Sequence, residues 1–181
     1  SVCLITMGCA KNEVDSAAMA RRLREAGFSV TEEASSADAI IVNTCSFIQA
    51  ATEESIDAIF EAASLPKVDE GSAALIVAGC MPARYGDDLA AELTEASAFV
   101  PCSREDDIAE VVALGISLPV AAVGGEPAKG EGRTFAYVKI SDGCDRFCSY
   151  CTIPSIRGRY HSFPYEQIAE DVEREIASGA R

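Results

Sequence analysis

Short apolar runs alternate along the first two thirds of the chain with segments whose apolar residues recur at helical spacing. Val2–Thr6 reads as a strand. Asn12 or Asp15 then caps a helix that runs through Ala26 and stops at Gly27. Asn and Asp side chains accept bonds from the free N–H groups of a first turn, and glycine tolerates the left-handed conformation at a helix end. Phe28–Thr31 predicts a short strand. Ala39–Asn43 is continuously apolar, as a strand covered on both faces must be. Ile56, Ile59 and Phe60 place a helix over Thr52–Ala63. Ala73–Ala78 is a second run of the two-sided type, followed by a helix near Tyr85–Leu93. Ala98–Val100 and Asp106–Leu114 repeat the unit. This alternation predicts an α/β fold over residues 1–123, a parallel sheet with right-handed crossovers and helices on both faces.

Residues 124–134 are rich in glycine and contain a proline, the composition of a linker between domains. Beyond it, Phe135–Ile140 predicts a strand, Ser141–Cys151 a loop, and Pro164–Ala177 a helix ending at Gly179. That is a single βα unit. A closed barrel of eight such units takes about 250 residues. Residues 135–181 are therefore expected to be the opening unit of a barrel cut short. The alternative is a short protein whose last unit packs on the first sheet.

Composition narrows the function classes. Of 181 residues, 49% are hydrophobic and 24% charged, which is ordinary for a globular chain able to build a core. No apolar run is long enough to span a bilayer, and Ser1–Thr6 lacks the basic start of a signal peptide, so a cytoplasmic location is expected. The net charge is −14, with 15 Lys and Arg against 29 Asp and Glu, so direct nucleic-acid binding by this chain is not expected. An acidic surface suits a basic partner, or serves solubility alone. Eight cysteines without an export signal point to metal or redox chemistry rather than a disulfide framework.

Cys144, Cys148 and Cys151 form the run CDRFCSYC. Three thiolates so close together can hold three corners of a cubane iron–sulfur cluster and leave the fourth iron open to a small molecule. Tyr150, just before the last cysteine, fits the same reading as a cofactor-binding residue. A zinc knuckle is the alternative, with a fourth ligand from another Cys or from His161, the one histidine of the chain. Paired CxxC units are the usual zinc pattern, and the first gap here is one residue too long.

Cys9, Cys45 and Cys80 form a second set. Each follows a predicted strand, in LITMGC, IIVNTC and LIVAGC, one crossover apart. Parallel strands end on one edge, so the three thiols are expected to converge where open α/β sheets bind ligands. Soft thiolates select iron–sulfur clusters or zinc. Gly8 and Gly79 permit tight turns before two of these cysteines, and Asn43 and Thr44 are candidates to orient a cluster by hydrogen bonds. Cys102, in FVPC, and Cys3, inside the first strand, read as structural. His161 reads as a surface residue. Arg157 and Arg159 lie in a segment read as a solvated loop or as a contact for a carboxylate.

The run through Cys151 resembles the signature of the radical S-adenosyl-L-methionine (SAM) enzymes. With both triplets, MGCAKNEVDS, NTCSFIQAATEESI, GCMPARY and SDGCDRFCSYCTIPSIRGRYHS resemble the methylthiotransferases of that group across nearly the whole length. AKNEVDS, SFIQAATEESI and IPSIRG are most similar to the RimO type, whose substrate is an aspartate β-carbon in a small-subunit ribosomal protein. The branch that modifies a transfer-RNA adenosine tends to carry Gln–Met in place of Ala10–Lys11 and VPYTRG in place of IPSIRG.

The resemblance implies two 4Fe-4S clusters. Cys144, Cys148 and Cys151 would hold the one that binds SAM. Cys9, Cys45 and Cys80 would hold an auxiliary cluster carrying the sulfur to be transferred. One SAM would methylate that sulfur, and a second would yield the radical that activates the substrate carbon. A reductase or flavodoxin-like protein would supply the electron. Most SAM and substrate contacts are expected beyond Arg181, so the chain alone is expected to be inactive. A zinc or electron-transfer module without catalysis is the remaining alternative.

Overall fold

The computed structural model of the chain describes residues 1–116 and 135–180. Two compact units are present, Ser1–Gly125 and Glu126–Arg181. The linker expected at 124–134 lies outside the described residues.

The first unit is built on five strands: β1 (Val2–Thr6), β2 (Val30–Thr31), β3 (Ala39–Thr44), β4 (Ala74–Gly79) and β5 (Ala98–Pro101). All pair in parallel, in the order β2-β1-β3-β4-β5. Between them run α1 (Ala10–Glu25), α2 (Gln49–Ala63), α3 (Pro66–Asp69), α4 (Cys80–Tyr85) and α5 (Asp87–Glu92), and α6 (Ile108–Gly115) follows β5.

Every residue of β3 and β4 is buried, which explains the apolar runs 39–42 and 74–78 within them. The strand period of two divides their side chains between two cores. Ile41, Ile76 and Ala78 pack with Met19 and Leu23 of α1 and with Ile108 and Val112 of α6. Ile40, Val42, Leu75 and Val77 pack on the opposite face with Ile59 of α2, Met81 of α4 and Leu89 of α5. The expected helix-covered parallel sheet is thus present.

Three local differences from the expected elements have physical causes. Helix α1 begins at Ala10, with Cys9 in extended geometry at its cap and no side-chain cap bond. Asn12 and Asp15 lie inside the helix and are buried, so neither is the cap. The Asn12 amide is drawn instead to the strand ends beneath it. The helix expected near Tyr85–Leu93 is α5, and an unexpected helix, α4, precedes it directly after β4, the two separated by Gly86 at φ 54° and ψ −130°. In the second unit, the strand expected over Phe135–Ile140 is not one. Ile140 is tied by its carbonyl to the Phe163 N–H at 3.1 Å, but the segment joins no ladder among the described residues. A strand exists only with a neighbour to bond. The pairing that forms is a short antiparallel one between β6 (Ser141–Asp142) and β7 (His161–Ser162). Helices α7 (Ile153–Ile156) and α8 (Tyr165–Ala177) complete this unit.

Cys3 faces the α2 side of the core, as expected of a structural cysteine. Burial raises its thiol pKa above the ordinary value, and Glu33 and Glu32 add to the shift. The folded chain therefore holds this proton to higher pH than the unfolded chain does. The stabilisation is complete below the unfolded thiol pKa and disappears as pH rises through the raised folded value. In metal-free chain at mildly alkaline pH, iodoacetamide should label exposed Cys9 and spare Cys3 until the chain unfolds. Peptide mass spectrometry reads this directly. Equal labelling of both would show that Cys3 is not enclosed.

Candidate metal centre

The strand order places a switch point between β1 and β3. The chain leaves β1 for β2 on one side, then returns to place β3 on the other. The loops beyond these two strands diverge, and such crevices are where open α/β sheets take up ligands. Cys9 follows β1, and Cys45 and Cys80 come directly after β3 and β4. Thr6 pairs with Asn43 and Thr44 with Gly79, so the three cysteine-bearing ends lie side by side on one edge.

Both buried sulfurs lean on the turn that carries Cys9. Gly8 has φ +92°, and a Cβ there would lie 2.4 Å from Cys45 Cβ and 2.7 Å from its Sγ. Cys45 therefore occupies the space that a side chain at position 8 would need. Cys80 Sγ lies 3.8 Å from Asn12 Oδ1, in the first turn of α1. Cys45 is further held by Ser55 of α2, whose Oγ accepts from the Cys45 N–H at 2.9 Å and donates to the Cys45 carbonyl at 2.9 Å. Cys9 itself is exposed, whereas Cys45 and Cys80 are buried.

A polar layer underlies the three ends. Asn12 Nδ2 donates to the carbonyls of Met7 and Thr44, each at 2.9 Å. Asn43 Nδ2 donates to the Asn12 carbonyl at 3.0 Å and to Ser16 Oγ at 2.9 Å. Thr44 Oγ1 donates to the Ala78 carbonyl at 2.6 Å and accepts from the Met81 N–H at 3.2 Å, joining β3 to the start of α4. Asn43 and Thr44 thus bind neighbouring main chain and α1 in this arrangement. Buried Asn43 Oδ1 has no hydrogen-bond partner among the described residues, and a Cβ on Gly79 would come within 2.3 Å of it. Asn12 and Ser55 escaped the sequence reading as parts of the site. A buried polar residue in a first helical turn has the same sequence signature as a cap, and only the register distinguishes them.

The donor set suits a thiophilic metal or cluster. It consists of three thiols on three adjacent loops, two of them resting on the turn that bears the third. Among the described residues, no group of three His, Cys, Asp or Glu side chains already stands close enough to hold a metal ion. The match lies in backbone placement and donor chemistry, with Cys9 turned outward. Cys102 opens the turn after β5, beside Cys80, because Pro101 pairs with Gly79.

In the second unit the loop of Cys144, Cys148 and Cys151 is anchored from below. Gly143 has φ +73°, and a Cβ there would meet the Arg159 carbonyl at 2.1 Å. The Cys144 N–H donates to the Gly158 carbonyl at 3.1 Å. Asp142 accepts from the Gly143 N–H at 2.8 Å, Lys139 Nζ at 3.2 Å and Arg157 Nη1 at 3.3 Å. Arg157 is buried in this cluster, so it is a fixed internal cation rather than part of a solvated loop. Arg159 is exposed, 3.9 Å from Asp145, and its guanidinium lies 5.5 Å from the centre of the Phe147 ring. The Cys151 N–H donates to the Cys148 carbonyl at 3.0 Å, making a tight turn. Phe147 sits at φ 35°, a costly conformation for a non-glycine residue. Tyr150 is 87% exposed and His161 is exposed as expected.

A sheet whose thiols flank its switch point, followed by a CxxxCxxC loop, defines a protein class as well as a shape. Residues 1–101 match the model of the uncharacterized protein family UPF0004. The chain belongs to this family. The particular relatives carry one name, ribosomal protein uS12 methylthiotransferase RimO. That of Symbiobacterium thermophilum is 41% identical over 187 residues, covering 98% of this chain and 38% of the relative. Those of Trichlorobacter lovleyi and Geobacter sulfurreducens are each 38% identical, covering 99% of this chain and 42% of the relative. The chain thus spans about two fifths of the length of the curated relatives it matches. No described helix is long and apolar enough to cross a membrane.

Proposed function

We propose that this chain is the cluster-bearing N-terminal portion of a radical SAM methylthiotransferase acting on an aspartate of ribosomal protein uS12. The observation that carries the reading is the gathering of Cys45 and Cys80 against the Gly8–Asn12 turn that bears Cys9. The names of the relatives supply the substrate. Cys9, Cys45 and Cys80 would hold one 4Fe-4S cluster, and Cys144, Cys148 and Cys151 the other. A cubane cluster held by three thiolates keeps one iron free, for the sulfur to be transferred in the first case and for SAM in the second. Ser55 and Asn12 fix the backbone of the first set. Asp142, with Lys139 and Arg157, fixes the base of the second. Tyr150, exposed on the second loop, would contact SAM. A reductase or flavodoxin-like donor would supply the electron.

The test is anaerobic reconstitution with iron and sulfide. The expected result is about eight irons per chain with matching sulfide. Zinc without sulfide would refute the reading. The substrate is tested with the full-length enzyme, SAM, a reductant and either uS12 or transfer RNA. A methylthio mass increment on an aspartate of uS12 is expected. The same increment on RNA would overturn the substrate assignment.

A further inference from the structure

Asn12 belongs to none of the residues expected as ligands, and its side chain touches all three loops that carry them. Its Nδ2 donates to the Met7 carbonyl, two residues before Cys9, and to the Thr44 carbonyl, one residue before Cys45. Its Oδ1 faces Cys80 Sγ at 3.8 Å. Its own carbonyl accepts from Asn43 Nδ2 at 3.0 Å, locking the α1 turn to β3 from beneath. Asn12 is fully buried, so its amide has no water with which to exchange these bonds. One planar amide thus ties the ends of β1 and β3 and abuts the first residue of α4.

We propose that Asn12 is the positioning residue of the N-terminal cysteine set, holding the three loops at the separation a shared inorganic group requires. The proposal rests on the cluster reading above. Several alternatives serve less well. Ser55 holds Cys45 alone, and Thr44 joins β3 to α4 without reaching β1. Ser16 lies one turn deeper and bonds the side chains of Thr6 and Asn43, within β1 and β3, rather than the main chain leading into a cysteine. Asn12 spans all three because the switch point leaves β1 and β3 adjacent while α1 passes over their ends. Outer groups of this kind set ligand orientation, and their loss typically weakens metal binding by about ten- to a hundredfold. The Cys80 thiol that donates to Oδ1 would lose its proton as a ligand, so Asn12 would act through the main chain it fixes and the sulfur it packs against, and the resulting ligand geometry would be read in the g-values.

The experiment uses the whole chain with Cys144, Cys148 and Cys151 replaced by serine, so that one cluster signal remains. Asn12→Asp keeps size and shape but removes both Nδ2 donors. Asn12→Ala removes the side chain. Ser16→Ala perturbs the same polar layer without touching the main chain leading into a cysteine. Each protein is reconstituted anaerobically with iron and sulfide, then challenged with a chelator and examined by electron paramagnetic resonance after reduction. Both Asn12 variants are expected to lose iron about tenfold faster than the parent and to give shifted g-values. Ser16→Ala is expected to match the parent in both. Far-ultraviolet circular dichroism identifies an unfolded variant, and Asn12→Asp decides the matter if Asn12→Ala fails to fold. Parent-like retention and spectra in a folded Asn12 variant would overturn the proposal and leave the cluster reading standing. Equal changes in Ser16→Ala would overturn it too, by reducing the effect to general loosening. A parent that binds no iron and sulfide would refute the cluster reading itself.

Discussion

Replacing Cys9, Cys45 and Cys80 together by alanine is expected to halve the iron taken up in anaerobic reconstitution, from about eight to about four per chain. The remaining half belongs to the loop of Cys144, Cys148 and Cys151, which lies in the other compact unit. The fold should survive. Cys45 and Cys80 are buried, but each loses a single sulfur atom, and Cys9 is exposed. A core deletion of that size costs about 1 kcal/mol, well below the several kcal/mol by which domains are stable. Iron and sulfide analysis with a melting curve checks both halves of the expectation. Uptake unchanged at the parent level would show that these thiols hold nothing.

Gly79→Ala is expected to have the largest effect of any single added methyl group in this sheet. The residue sits at φ +92°, where an L side chain costs about 1–2 kcal/mol. Its Cβ would also lie 2.3 Å from Asn43 Oδ1 and 2.7 Å from the Thr44 carbonyl. Neither can retreat far, because Asn43 is fixed by α1 and Thr44 lies on a central strand. Overpacking of this sort adds about 1–3 kcal/mol, so the total is about 2–5 kcal/mol. Gly86→Ala is the control. It has the comparable conformation φ 54°, ψ −130° but nothing among the described residues within 4 Å of the added carbon, so it should show the conformational cost alone. Urea unfolding separates them through the midpoint at unchanged slope. Equal shifts for both would show that the crowding behind Gly79 is relieved at no cost.

The sheet was legible wherever burial on both faces wrote an unbroken apolar run, as in residues 39–42 of β3 and 74–78 of β4. The cysteines were legible because each stands just past such a run or within a tight motif. What could not be read was anything decided by a neighbour. Phe135–Ile140 has strand composition, but pairing depends on a partner strand, and composition cannot say whether one is beside it. Helix α4 starts directly at Cys80 and is too short for an apolar period to show, so only α5 was legible. Asn12 reads as a helix cap, because its true partners, Met7 and Thr44, are brought to it only by the pairing of β1 with β3. Arg157 reads as solvated, because Asp142 reaches it only through the β6–β7 turn.

The parallel register has a consequence for biosynthesis. Cys9, Cys45 and Cys80 come from the ends of three separate strands, and each pairing must close a whole crossover before the next sulfur arrives. Such long-range contacts form late and slowly. A growing polypeptide emerging from the ribosome therefore brings the three thiols together only once β4 has docked. Any inorganic group shared by all three would have to be loaded after that step.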